Sequence, residues 1–281
     1  MNAETVSRFD VLTRVVHWST AAAGAIVLGS ATVLYVPELS AKIGRRAALM
    51  ETHVVAGLFL PVPLLFALAI GPTGVRLRRD LAELWQWTAA DRRWIRPKQR
   101  VTTEGKFNGG QKLVTALFAG LFLMQLLTGS VMYWHDPFST SWRTGATFVH
   151  DWAYLALAVI VIGHVVKAMQ EPILMRSMTR GEVPAEWARR ERPTWDARGE
   201  VVDGTSPADA AGIERSTLMW VRVVGGTLLC LLGVVWILQG LDILTGSGMS
   251  GHAVWAVFGA VLLVVGVMLL RAARTLRRAR S

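Results

Sequence analysis

Apolar residues in this chain come in long runs, with no strand-like alternation. Six stretches, at 15–36, 50–71, 113–134, 148–169, 217–241 and 252–270, carry almost no charge. Each holds roughly 19 to 25 residues, enough for a helix to cross a hydrocarbon layer about 30 Å thick. The pattern predicts an all-α polytopic membrane protein with six spans. Gly, Ala, Ser and Thr are scattered through every run, as close helix packing in lipid requires. Pro61 and Pro63 fall inside the second run and predict a kink or local unwinding there. The first run is too long for the core of a cleaved leader and lacks a small-residue cleavage site, so it is expected to persist as a helix.

Composition narrows the class. The 281 residues are 52% hydrophobic and 18% charged, with a mean hydropathy of +0.39, which excludes a soluble α/β enzyme and a disordered chain. The single cysteine, Cys230, lies in an apolar run. It excludes an intrachain disulfide, a cysteine-ligated iron–sulfur cluster and a covalent CxxCH haem. The net charge of +10 invites a nucleic-acid reading, but the placement of the basic residues argues for topology instead. Of the 30 Lys and Arg, only Lys42, Arg45, Arg46 and Arg143 fall on the side opposite the termini. The positive-inside rule therefore puts both termini in the cytoplasm of a bacterial inner membrane, in keeping with an even number of spans. Attraction to anionic lipid is a secondary consequence, and no nucleic-acid partner is expected.

The longest polar stretch runs from Glu171 to Arg215 and holds Pro172, Pro184, Pro193 and Pro207. Its first part, GEVPAEWARRERPTW, has interfacial-helix character; DARGEVVDGTSPADAAG reads as a flexible linker. The expected organisation is a four-helix module at 1–195, a linker at 196–215 and a two-helix appendage at 216–281.

Six histidines stand out: His17, His53, His135, His150, His164 and His252. Ionisable groups inside spans are costly and usually functional. His150 and His164 are 14 residues apart on the fourth span, or 40° short of four full turns, so they leave nearly one face about 21 Å apart along the axis. Alternating span directions then match depths: His17 with His164 near the inner leaflet, and His53 with His150 near the outer one. Two imidazoles approaching from opposite helices can ligate a b-type haem axially, and two such sites would form an electron path across the bilayer. Gly57, one turn after His53, and Gly163, beside His164, would admit a flat macrocycle. Arg14, one turn before His17, is placed to pair a haem propionate. His135 and His252 sit at outer span ends and read as interfacial, with either a substitute outer ligand should the pairing differ. A haem-free anchor, with histidines packing or relaying protons, is the competing reading from another class.

The segments RFDVLTRVVHW, ETHVVAGL, GKFNGGQKL and SWRTGATFVHDW together resemble the cytochrome b gamma subunit of formate dehydrogenase. This is the di-haem four-helix family that includes thiosulfate reductase and hydrogenase cytochromes. The resemblance covers about residues 7–195. It implies two b-type haems, one on His53 and His150 and the other on His17 and His164. It also implies a quinone pocket (menaquinone or ubiquinone) by the inner haem, built from Asn108, the Gly109–Gly110 backbone and Gln111. The function implied is passage of electrons from an iron–sulfur partner, next to a molybdenum or tungsten catalytic subunit on the periplasmic side, to the quinone pool in anaerobic respiration. Formate chemistry itself would lie on those other subunits. Service to a hydrogenase or thiosulfate reductase is the alternative within redox chemistry. The two C-terminal spans depart from the family, and no chemistry follows from them.

Overall fold

The computed structural model describes residues 4–69, 74–94, 105–134, 136–195, 207–244 and 250–278. In chain order the elements are β1 (Thr5–Ser7), α1 (Val11–Tyr35), α2 (Pro37–Ile43), α3 (Arg46–Phe59), α4 (Val62–Ala69), α5 (Val75–Trp85) and α6 (Ala89–Trp94). There follow α7 (Gly109–Tyr133), α8 (Thr140–Gln170), α9 (Pro172–Thr179), β2 (Glu182–Pro184), α10 (Ala185–Glu191), α11 (Pro207–Gly240) and α12 (Ala253–Arg278). Among the described residues five helical stretches are long and apolar enough to cross a membrane: Val11–Tyr35, Arg46–Ala69, Gly109–Tyr133, Thr140–Gln170 and Ala253–Arg274. The sixth expected span lies on α11, whose apolar stretch Gly225–Gly240 is shorter. The fold is a helical membrane bundle.

Local chemistry sets the boundaries. Asp10 caps α1 by accepting the Thr13 N–H at 2.8 Å. The second span breaks between α3 and α4 at Leu60–Pro61, because Pro61 and Pro63 supply no N–H and their rings crowd the preceding turn. Asn108 and Gln111 form a reciprocal capping box at the start of α7, with bonds of 2.8 and 3.0 Å.

One end of the bundle is closed by short elements rich in basic residues. β1 pairs antiparallel with β2, Val6 opposite the fully buried Val183. Gly181 turns the chain into β2 at φ 88°, where its carbonyl accepts from the Arg8 and Phe9 N–H groups; a Cβ there would also meet the Phe9 carbonyl at 2.6 Å. Beneath this cap α5 and α6 hold two buried ion pairs, Lys106 with Asp80 and Lys112 with Asp91, the latter at 2.8 Å. Lys112 also donates to the Gln86 carbonyl at 2.8 Å.

The C-terminal pair packs differently. A Cβ at Gly233 would fall 2.7 Å from the Gly259 carbonyl oxygen, and one at Gly259 2.6 Å from that of Gly233, so α11 and α12 meet backbone to backbone. The pair docks on the second span through Trp236, which is fully buried against Phe59 and Trp255. Arg222 donates to the Ala272 carbonyl at 3.2 Å and to the Leu68 carbonyl, near the end of α4, at 3.5 Å. The expected linker is helical from Pro207 onward: proline suits a first helical position, and the Ala-rich residues after it propagate the helix. Residues 196–206 of that linker lie outside the described residues.

Candidate functional site

The four candidate histidines come from three helices: His17 on α1, His53 on α3, and His150 and His164 on α8. The structure brings them together two by two. The His17 and His164 rings lie 6.3 Å apart between centroids, and so do those of His53 and His150. Their planes are inclined at 55° and 73°. A metal–imidazole bond of about 2.0–2.1 Å, with the ring centre about 1.1 Å behind its nitrogen, would place two opposed axial imidazoles about 6.3 Å apart. Among the described residues no three His, Cys, Asp or Glu side chains converge. The sites therefore have the ligand count for the two axial positions of a haem, which brings its own four nitrogens, and too few for a bare ion.

The space around the pairs suits a flat ligand. Gly57 lies one turn after His53 on the same face, and Gly24 lies two turns after His17 on its face. A Cβ at either would meet nothing within 4 Å, and the same holds at Gly163. Gly129 is tighter: a Cβ would stand 3.2 Å from the His150 ring, so this glycine makes room for the imidazole itself.

Hydrogen bonds fix the His53 and His150 rings. His53 Nδ1 lies 3.1 Å from both the Val27 carbonyl and Ser30 Oγ. The Ser30 hydroxyl donates to the Ile26 carbonyl at 2.7 Å, so Nδ1 carries the proton and Nε2 keeps its lone pair. His150 Nδ1 lies 3.0 Å from Thr128 Oγ1, whose hydroxyl donates to the Met124 carbonyl at 2.7 Å. The Gln125 amide encloses the same edge: its nitrogen lies 3.0 Å from His150 Nδ1 and 3.1 Å from the His150 carbonyl, and its oxygen accepts from the Tyr154 N–H at 3.1 Å. In the other pair His164 packs edge-on to Phe118 and His17 to Trp18. Sequence reasoning passed over Ser30, Gln125 and Thr128. Gln125, an amide in the middle of an apolar run, was the available signal.

The remaining candidates take other places. Arg14 turns away toward the cap and donates to the Thr179 carbonyl at 2.6 Å. Asn108 and Gln111 are the capping box, while Gly109 packs under the Asp91 backbone and Gly110 under the Trp94 ring. The absence of a side chain at both is thus used by α6, which seats on the start of α7. Asn108 nevertheless lines a cleft of about 530 Å³ with Trp94, Lys167, Leu174, Trp187 and Arg192. His17 and His164 do not line it; Lys167, which does, is one turn beyond His164 on α8. His252 is exposed just before α12; His135 lies outside the described residues.

Charge under the cap is strongly perturbed. Burial pushes the Asp80 carboxyl up to about 6 despite Lys106 beside it. Burial also lowers Lys106, and it lowers Arg8 to about 10, helped by repulsion from Arg192. Burial would raise Asp91, but hydrogen bonds from Lys112 and Thr88 outweigh it and hold the group below the usual carboxylate range. Arg8 crosses this network, donating to the Lys106 carbonyl at 2.9 Å with Trp187 and Trp195 against its guanidinium.

Comparison with known proteins adds a family. The family model for prokaryotic cytochrome b561 matches residues 8–181, a stretch that takes in all four paired histidines and Asn108. Over 101 residues the chain is 30% identical to the protein named formate dehydrogenase, cytochrome b556(fdo) subunit, of Escherichia coli strain K12. That alignment covers 34% of this chain and 47% of the relative, and the counterpart in Escherichia coli O157:H7 matches over the same share. The chain thus spans about half the length of the curated relatives it matches.

Proposed function

The chain belongs to the prokaryotic cytochrome b561 family, and from that premise we propose that it is the di-haem b subunit of a quinone-linked oxidoreductase, of the formate dehydrogenase type that its relatives' name suggests. The observation carrying this reading is the equal 6.3 Å spacing of two imidazole pairs, set about 21 Å apart by the rise of α8. Haem bound at each pair would supply reversible one-electron chemistry. His53 and His150 would hold one group, the His53 Nε2 lone pair kept available by the Val27 carbonyl and Ser30 Oγ at its Nδ1. His17 and His164 would hold the other. The cleft one turn beyond His164 is the proposed quinone site, with Asn108 and Lys167 as polar partners and Ile173 and Leu174 as apolar wall.

The basic end faces the cytoplasm in this reading, so quinol protons come from there. Electrons arrive at the opposite end from an iron–sulfur partner, next to a molybdenum or tungsten subunit that performs the substrate chemistry. Residues 1–195 form the redox module, and the α11–α12 pair braces the broken second span.

The test is haem stoichiometry and quinone reduction in the purified full-length protein. Two b-type haems per chain are expected. His164→Ala should leave one haem and abolish quinone reduction, whereas His53→Ala should leave the other haem in place. A chain that takes up no haem when haem is supplied would end the proposal, and the iron–sulfur protein that co-purifies identifies the complex served.

A further inference from the structure

A second cleft, of about 480 Å³, opens where α1 emerges at the basic end. Arg14 of α1, Arg76 of α5 and Arg180 of the turn before β2 reach it from three separate segments. Its two acidic residues are already engaged. Asp10 accepts the Thr13 N–H at 2.8 Å as the cap of α1, and Glu182 accepts from Arg176 at 2.6 Å and from Thr5 at 3.1 Å. The arginines are less well satisfied: Arg14 donates to the Thr179 carbonyl at 2.6 Å but buries Nε without a partner, and Arg76 donates to the Ser7 hydroxyl at 3.1 Å. Surplus positive charge therefore faces the cleft.

An apolar strip continues from it. Turns of 100° per residue put Val11, Arg14, Val15 and Trp18 within one stripe of α1 about 100° wide. Val11 is 65% exposed, Val15 57% and Trp18 45%. Trp18 anchors its indole N–H on the Met178 carbonyl at 2.9 Å, a pose suited to a membrane–water boundary. A ligand with an anionic head in the cleft would lay a hydrocarbon tail on this strip.

We propose that the cleft binds one anionic phospholipid of the leaflet at the basic end. Its phosphate sits among Arg14, Arg76 and Arg180, and an acyl chain runs along Val15 and Trp18. Guanidinium forks match phosphate oxygens in pairs, and basic pockets at a membrane surface select anionic headgroups. The proposal requires only that α1 spans the membrane and is independent of the haem reading.

Titration of the full-length protein in mild detergent, read by native mass spectrometry, tests it. Phosphatidylglycerol should bind at least tenfold tighter than phosphatidylcholine. Arg76→Gln with Arg180→Gln should weaken phosphatidylglycerol about tenfold, each basic residue near a membrane surface counting for roughly fivefold before screening, with helicity unchanged. Equal affinity for the two lipids would overturn the proposal, as would indifference to the substitutions. Displacement of phosphatidylglycerol by millimolar inorganic phosphate would show a free-anion site instead. Should the double variant fail to accumulate, Arg180→Gln alone, on an exposed side chain, carries the same comparison. Loss of haem absorbance in Arg14→Gln with unchanged lipid binding would assign that arginine to a propionate and overturn its lipid role.

Discussion

The four-helix module and the α11–α12 pair use the same apolar composition to opposite ends. In the most apolar windows of α1, α7 and α8 only 6%, 0% and 6% of residues are buried, against 33% in α12. Glycine marks the contrast most clearly. Gly226, Gly233 and Gly240 recur every seven residues and press backbone against backbone, as helices do in lipid when dispersion is the main attraction between them. Gly24 and Gly57 recur on histidine faces and leave open space. A helix pair that fills its own interior needs nothing further. A bundle that holds imidazoles 6.3 Å apart across a gap is built around something else.

The largest effect should come from filling the closed side. In Gly233→Val the new Cβ meets the Gly259 carbonyl oxygen and the Leu263 N–H nitrogen, each at 2.7 Å. Both are backbone atoms, so the helices must part. The expected cost is about 3 kcal/mol or more, read as undocking of α12 by cross-linking and as a lower thermal midpoint. In Gly24→Val the new Cβ meets nothing within 4 Å, and the haem-free chain should stay within about 0.5 kcal/mol. Similar losses at both positions would erase the distinction.

A comparable effect is expected under the cap, where the module does bury polar groups tightly. Lys106→Met leaves the Asp80 carboxyl buried without its cation, at a cost of about 3 kcal/mol. Replacing both partners by apolar residues of similar volume, Asp80→Leu with Lys106→Met, should recover most of it. The pH dependence has a definite sign. The folded carboxyl, at about 6, binds its proton more tightly than the unfolded one at its ordinary value. Stability from this group is therefore greatest in acid and falls as pH rises from about 4 to about 6. Asp80→Asn should remove that slope from a denaturation series, and a slope that persists would place the titration elsewhere.

These contrasts also show what was readable in advance. The histidine pairing followed from spacing because His150 and His164 obey a 3.6-residue period that lipid-facing helices keep faithfully. The break in the second span followed from Pro61 and Pro63. Asn108 was harder: a cap and a ligand contact use the same amide, and only the packing of α6 on Gly109 and Gly110 shows that those glycines serve a helix junction. The helical start at Pro207 was hidden by turn-forming neighbours, although proline at a first helical position is itself a helix signal. Ser30 and Thr128 were illegible because a hydroxyl bonded to its own helix looks, in sequence, like any small residue in a span.

A smaller effect is expected on the open side. Gly57→Leu starts its side chain in the space one turn from His53, where a Cβ meets nothing within 4 Å. The haem-free fold should be indifferent, while uptake at the His53–His150 pair should weaken by about 1–3 kcal/mol of overpacking and the other pair stay loaded. Equal loss at both pairs would mean that Gly57 faces a space they share.

The smallest effect separates orientation from space. Ser30→Ala and Thr128→Val leave both rings in place but remove the hydroxyl oxygens at 3.1 and 3.0 Å from Nδ1. His53 retains the Val27 carbonyl at 3.1 Å as an acceptor, whereas His150 Nδ1 is left facing the Gln125 amide nitrogen at 3.0 Å, a donor. Outer partners of metal-bound histidines typically change affinity 10–100-fold. Ser30→Ala should therefore fall below that range and Thr128→Val near tenfold, read as haem retained after detergent washing and as a shift in midpoint potential confined to one of two redox transitions. If Ser30→Ala proves the more damaging, the Val27 carbonyl is not what holds the proton on Nδ1, and the tautomer assigned to His53 is reversed.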